Sequence, residues 1–239
     1  MAIPSQLRTP LMHSLWRRLV YVVIAMVVLV GGFLGWAYRA TQQVPDFYVR
    51  QLRAEAGQRH KRSGDAFEQQ ALQLNNQIRK TDRWQARFTA DEINAWLAAD
   101  LPQKFPDALP PDVQSPRVAI ESEMIQVACR VESRQFSSVV SLGVHPYVTS
   151  EPNVVALRVK QLRAGSLPLP LGQYLDRITE QCAQAGVPLR WSEEEGDPVA
   201  LVTLPLDPKE FQNRLVRVEE IELTEGSLIV SGTSKPVEE

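Results

Sequence analysis

Cysteine and histidine are scarce in this chain, and much of the chemistry that a sequence can announce goes with them. Two cysteines and three histidines occur in 239 residues. Two thiols are too few for a disulfide framework or a thiolate metal cage, and Cys129 and Cys182 share no CxxC spacing. His13, His60 and His145 stand far apart, with no HExxH pair to hold a metal. There is no GxSxG elbow, no Walker loop and no GxGxxG turn. His145, beside Pro146, is the one histidine expected in the folded body, and a strand histidine with no nucleophile in view reads as structural. Neighbouring carboxylates do occur. Glu219 and Glu220 would point to opposite faces of a strand, however, and Asp91 and Glu92 open a helix. General acid–base work needs two such groups converging on one cleft. The expectation is a protein that is not an enzyme and needs no cofactor and no metal.

Charge of one sign is also lacking overall, but the balance hides a division. The net charge is −2. Residues 1–38 carry Arg8, Arg17 and Arg18 and no acid, while residues 39–87 sum to +5 and residues 88–239 to −10. A basic neck thus precedes an acidic body. Nucleic acid is not an expected partner, because phosphate neutralisation needs clustered Lys and Arg on the body itself.

One long apolar run stands out. Leu19–Tyr38 has no charge and no side-chain amide, and a helix of that length would span roughly 30 Å, the thickness of a bilayer core. Trp16, Tyr21, Trp36 and Tyr38 sit near its ends, as interfacial aromatics do. A cleaved signal peptide would have a shorter core and a small-residue site, whereas Ala37-Tyr38-Arg39-Ala40 is a poor one. The run is expected to be an uncleaved signal anchor. The flanking arginines are balanced, but a short basic stub before an apolar run predicts residues 1–18 in the cytoplasm and the body outside. The expected membrane-contacting residues are Trp16, Arg17, Arg18, Trp36, Tyr38, Arg50 and Arg53, with membrane lipids as partners. Phe47, Tyr48, Val49 and Leu52 confine any insertion of the neck to about residues 46–53. Gly31 and Gly35 form a GxxxG pair of the kind that packs two membrane helices.

Residues 39–83 read as a polar, mostly helical neck that Pro45 can open and that breaks near Ser63-Gly64. Phe67, Ala71, Leu74 and Ile78 make one apolar seam, expected to lie on the body rather than to continue as a coiled coil. Residues 84–239 read as an α+β domain with a mostly antiparallel sheet and two or three helices. Trp84–Phe88 is a short strand. Thr89-Ala90-Asp91-Glu92 is a capping box that starts a helix to Asp100, with Ile93, Trp96 and Leu97 inward. Five prolines between Pro102 and Pro116 predict a stiff, irregular connector. From Arg117 the period changes to two, predicting strands near 117–121, 124–133, 135–149 and 153–163. A helix follows at 171–185 with the stripe Leu171, Tyr174, Leu175, Ile178, Cys182, Ala185. Cys129 alternates with Ile125, Val127 and Val131, so both cysteines are expected to face a core, as two thiols or one disulfide. Strands near 187–192 and 199–204 flank the acidic turn Glu193–Pro198, read as a solvated hairpin rather than a cation site. A short helix at 207–214 and a hairpin turning at Glu225-Gly226 end the chain.

Thr89-x-x-Glu92-x-Asn94-x-x-Leu97, then paired strands, then Gly165-Ser166-Leu167-Pro168-Leu169-Pro170 before a helix, then a hairpin ending Val230-Ser231-Gly232, carries a resemblance. The pattern resembles bacterial single-pass envelope proteins that are distantly similar to tubular lipid-binding domains, over about residues 84–233. The resemblance implies a curved sheet with a helix lying against it, a periplasmic location at the bacterial inner membrane, and a lipid or other apolar ligand held in the sheet's concavity. The alternative expectation is a non-catalytic scaffold or assembly subunit that docks on other envelope proteins. An apolar groove open to solvent separates the two, since a scaffold needs only a closed core and an exposed patch.

Overall fold

The computed structural model of the chain describes residues 40–41, 43–54, 59–106, 108–132, 137–184, 186–204, 206 and 208–237. Contacts divide the chain into two units, Met1–Ala40 and Thr41–Glu239. The apolar run 19–38 lies outside the described residues, as do Trp16, Arg17, Arg18, Trp36, Tyr38 and the Gly31–Gly35 pair. Among the described residues no helix is long and apolar enough to cross a membrane.

The second unit is α+β. Its elements are α1 (Asp46–Ala54), α2 (Arg59–Lys80), β1 (Arg83–Thr89), α3 (Ala90–Ala99), the single turn α4 (Leu101–Lys104), β2 (Val113–Ile120), β3 (Ile125–Glu132), β4 (Ser137–Val148), β5 (Val154–Ala164), β6 (Leu167–Pro168), α5 (Leu175–Gln184), β7 (Leu189–Glu194), β8 (Asp197–Thr203), β9 (Arg214–Thr224) and β10 (Ser227–Pro236). Short 3-10 turns cover Leu171–Gln173 and Pro208–Phe211, where longer helices are predicted. The strands form a seven-stranded sheet in the order β2-β3-β4-β5-β8-β7, with β6 on β5, and a three-stranded sheet in the order β1-β10-β9. Every ladder is antiparallel.

Alternation decides which face each strand buries. In the small sheet, register puts Trp84, Ala86 and Phe88 on one face with Leu228, Val230, Val218, Ile221 and Leu223. The α2 seam covers part of it: Ile78 is buried with Trp84, Val216 and Val218, Leu74 packs beside them, and Phe67 lies 5.5 Å from both Phe88 and Trp96. Ala71, the fourth member of the seam, is exposed. The predicted break at Ser63-Gly64 does not occur, and α2 runs through it. The glycine serves packing instead, because a Cβ there would sit 2.8 Å from Asp100 Oδ2 and 3.6 Å from the Ala95 and Trp96 backbone.

The capping box forms as read: Thr89 N donates to Glu92 Oε2 at 2.9 Å and Glu92 N to Thr89 Oγ1 at 3.2 Å. The helix it starts buries Ala90, Asn94 and Ala95, while Trp96 and Leu97, expected in the core, are half-buried. Asn94 is 1% exposed and pairs with the outer edge of β2 as a strand would. Its Nδ2 donates to Val118 O at 2.7 Å, and its Oδ1 accepts from Val118 N at 2.7 Å. Asn153 treats β9 in the same way, donating to Val216 O at 2.7 Å and accepting from Val218 N at 3.3 Å. The proline-rich connector is less irregular than expected. It contains α4, and β2 begins at Val113, four residues before the predicted start, with a bulge that passes Ser115 and Pro116.

The helices α1 and α2 belong to the same compact unit as the sheets. Phe47 and Tyr48 of α1 are 6% and 0% exposed against Ala128 and Val139. Those two side chains are therefore not available to insert into a bilayer. Their apolar surface is taken up by the sheet.

Two substitutions test this framework in denaturant unfolding of residues 41–239. Asn94→Leu strands the buried N–H and C=O of Val118, each worth about 1–3 kcal/mol when unsatisfied. A loss of that order is expected, well beyond the ~1 kcal/mol expected for Thr89→Ala. Gly232→Ala, at the β9–β10 bulge, would drive a methyl into the Arg217 carbonyl oxygen and the Trp84 indole, and is expected to be among the most damaging glycine changes.

Candidate functional site: an apolar cleft on the large sheet

The large sheet has one apolar face, and its register can be read across four strands. Val113 pairs with Val131, Cys129 with Val140 and Ala164, Val127 with Leu142 and Leu162, and Ile125 with Val144 and Val159. A shift between Gly143 and Val144 leaves Lys160 unopposed, so Leu162 and Ala164 stay on the same face as Val159. Bulges bend a strand and sharpen its twist.

Half of this face is closed. Val118, Ile120 and Ile125 pack with Ala90, Ile93 and Leu97 of α3 and with Leu223 and Leu228 of the small sheet. Toward the other end of the strands no side chain of the described residues seals it. Val113, Val131, Val140, Leu162 and Ala164 form the floor of a cleft of about 510 Å³, and Tyr174, Ile178 and Cys182 form the opposite wall. The predicted stripe at spacings of four places those three side chains on one side of the helical segment. Leu175–Gln184 is held in place by Trp191 Nε1 donating to Thr179 Oγ1 at 3.0 Å, and it ends where Gly186 takes φ +72°. The connector supplies a third side, with Val113 N donating to Pro110 O at 2.9 Å and Glu132 N to Asp112 O at 2.8 Å.

The polar residues on the cleft wall are few: Asp112, Tyr174 and Cys182. Both cysteines are free and half-buried, and Cys182 lines the cleft. Burial raises the pKa of Cys182, and burial followed by the nearby Asp112 charge raises that of Cys129. Both sulfurs are thus neutral thiols at physiological pH, suited to an apolar wall and poor as nucleophiles. The alternation and the stripe were both legible in the sequence. That they do not close on each other was not, although a signal is present: apart from Leu162 the floor is valine and alanine, whose short side chains leave volume where leucine or phenylalanine would fill it.

Other predicted groups go elsewhere. The acidic turn docks on β5, with Arg158 2.7 Å from Glu194 and 2.9 Å from Glu195, and Lys160 2.7 Å from Asp197. Hydrogen bonds from Tyr147 and then Arg158 lower the Glu194 pKa. Among the described residues no three His, Cys, Asp or Glu side chains are grouped to hold a metal ion. His145 is half-buried, with Nδ1 2.5 Å from Glu123 O. Arg50 and Arg53 are exposed on α1, and Arg50 borders a second cavity of about 500 Å³ that also meets Arg87, Asp91, Glu121 and Glu225. Charges of both signs line that cavity, and Arg87 already donates to Ser227 Oγ at 2.9 Å, so it selects no one class of ligand.

The thiols give a direct check on their burial. A raised pKa keeps each sulfur protonated to higher pH than an ordinary thiol, so alkylation of Cys129 and Cys182 in the folded protein is expected to stay slow at pH 8 and to accelerate only at a more alkaline pH than in the unfolded chain. A pH–rate profile for the two states measures this.

Comparison of the chain with protein-family models, curated proteins and solved structures finds no match.

Proposed function

We propose that this protein is a membrane-anchored, extracytoplasmic binding protein that holds the acyl part of a lipid, or a similarly apolar molecule, in the cleft between Leu175–Gln184 and the large sheet. The observation that carries the reading is the cleft itself. A volume of about 510 Å³ lies within the range of small-molecule sites, and its walls are mostly aliphatic, with a few polar groups to orient a ligand's end. An apolar cavity of this kind is poorly hydrated, so filling it with hydrocarbon gains dispersion contacts without displacing well-bound water. The bulges at Lys160 and at Ser115-Pro116 favour a sheet that curves around the cleft, in keeping with the resemblance to tubular lipid-binding domains. The apolar run 19–38 supports an anchor in the bacterial inner membrane with the domain on the periplasmic side, where membrane lipids are the nearest source of such a ligand. Binding is favoured over catalysis because the described residues that line the cleft are mostly aliphatic, with Asp112, Tyr174 and Cys182 the few polar ones.

Native mass spectrometry of residues 41–239, purified without detergent, is expected to show an apolar adduct that denaturation releases. Ile178→Trp, which fills the cleft, is expected to remove the adduct and to weaken binding of a fluorescent fatty acid by at least about tenfold, the equivalent of 1.4 kcal/mol. An empty wild-type protein that also ignores the fatty acid would favour the scaffold or assembly-subunit reading, with envelope proteins rather than a ligand as its partners.

A further inference from the structure

We infer that a polar cavity on the face of the large sheet opposite the cleft is a binding site for a neutral polyhydroxylated ring, a sugar or a cyclic polyol. Register sets its floor. Ala128 pairs with Ser141 and Ser141 with Arg163, while Gln126 pairs with Gly143 and Gly143 with Gln161. These two rows alternate with the rows of the cleft face, so their side chains stand on the other side of the sheet. Phe47 and Tyr48 of α1 cover Ala128 there. Beyond them, the segment Gln43 to Asp46 that leads into α1 meets Gln126, Ser141, Gln161 and Arg163 around a cavity of about 270 Å³. Gly143 keeps the floor low. A Cβ at that position would lie 2.8 Å from Gln161 Cγ and 3.0 Å from its Nε2, and would lift the amide off the sheet.

Ser141 is the residue that points to a ligand. It is 5% exposed and lines the cavity, and its hydroxyl makes no hydrogen bond among the described residues. Buried hydroxyls are as a rule hydrogen-bonded, so this one is completed by what fills the cavity. Arg163, exposed on the neighbouring strand, makes no ion pair or hydrogen bond among the described residues, although Asp46 lines the same cavity. Both charges are thus left for a third group. The mixture of lining groups selects its class. A site for an anion carries donors alone, and Asp46 would repel one; Arg163 would repel a cation. Glutamine amides and serine hydroxyls both donate and accept, as the hydroxyls of a sugar do. One of the amides is already oriented, because Gln126 Nε2 donates to Glu121 Oε1 at 2.6 Å. A volume of about 270 Å³ is at the small end of ligand sites and has room for one ring. The sheet stands between this cavity and the cleft, so the ring is a second ligand and not the headgroup of a chain bound in the cleft.

Saturation-transfer NMR tests this on the full-length chain, in micelles of a detergent without a sugar headgroup. The probes are glucose, galactose, mannose, N-acetylglucosamine and myo-inositol. At least one is expected to bind with a dissociation constant of about 1 mM or lower. Ser141→Ala is expected to weaken that binding about three- to tenfold, and Arg163→Met about tenfold or more, the sizes of one neutral and one charged hydrogen bond. Arg163 is exposed, so its substitution reads the site without disturbing the core. Ile178→Trp, which fills the cleft on the other face, is expected to change nothing here. No binding by any of the five probes, binding that either Ser141→Ala or Arg163→Met leaves unchanged, or binding of inorganic phosphate in their place overturns the inference. Each of these results leaves the reading of the cleft standing.

Discussion

The side-chain amide of Asn94 does for β2 what a neighbouring strand does elsewhere. It donates to and accepts from Val118 at 2.7 Å on both sides, inside a site that water does not reach. A sheet edge presents a row of unpaired backbone groups, and a buried one has to be paired or its desolvation lowers stability. Closing this edge with a helix residue also fixes α3 in rotation and height, so that Ile93 and Leu97 meet Val118, Ile120 and Ile125. The capping box one turn earlier sets where that helix begins. Asn153 repeats the device on β9, and so binds the β4–β5 turn of the large sheet to the small sheet. Two amides thus hold the two sheets and their helices in one arrangement.

That arrangement determines where the apolar face is covered and where it is not. Near Asn94 the small sheet and α3 lie close enough to close a core. Away from it the same face continues over Val140, Leu162 and Ala164, but its cover is the helix Leu175–Gln184, which stands off and leaves about 510 Å³. Short side chains on the floor and a single ten-residue helix as cover make an opening rather than a packed interior. The bulge at Lys160 keeps the face continuous and at the same time aims Lys160 at Asp197, adding to the Arg158 contacts with Glu194 and Glu195 that tie β5 to the acidic turn. The open cleft and the order of the sheet arise here from the same irregularity.

Much of this was legible from local pattern. The capping box, the period-two strands and the terminal hairpin rest on patterns among residues close in sequence and form close to where they were read; the α2 seam also forms, except that Ala71 is exposed. The role of Asn94 was not legible, because its partner is twenty-four residues away and nothing in α3 announces it. The start of β2 was hidden by Pro116, since a proline normally argues against a strand; the bulge accommodates it on an edge, where no ladder hydrogen bond is missed. Phe47 and Tyr48 looked like the shallow apolar side of a neck because their partners, Ala128 and Val139, lie 80 to 92 residues on. Gly64 read as a helix break, and only tertiary contact shows it as the place where α2 meets the α3 backbone. The cleft was half visible: both of its faces were present as apolar patterns, but the gap between them is a property of how far apart the fold holds them.

The central claim is that this gap is a ligand site and not an imperfection of packing. Amide hydrogen exchange of residues 41–239 with and without a long-chain fatty acid addresses it residue by residue. The account predicts added protection confined to Leu175–Gln184 and to the strand ends at Val140–Leu142 and Leu162–Ala164. The Asn94–Val118 pairing and the polar cavity beside Arg50 and Arg87 should be unaffected. Protection centred on that polar cavity, or no change anywhere at saturating fatty acid, would contradict it.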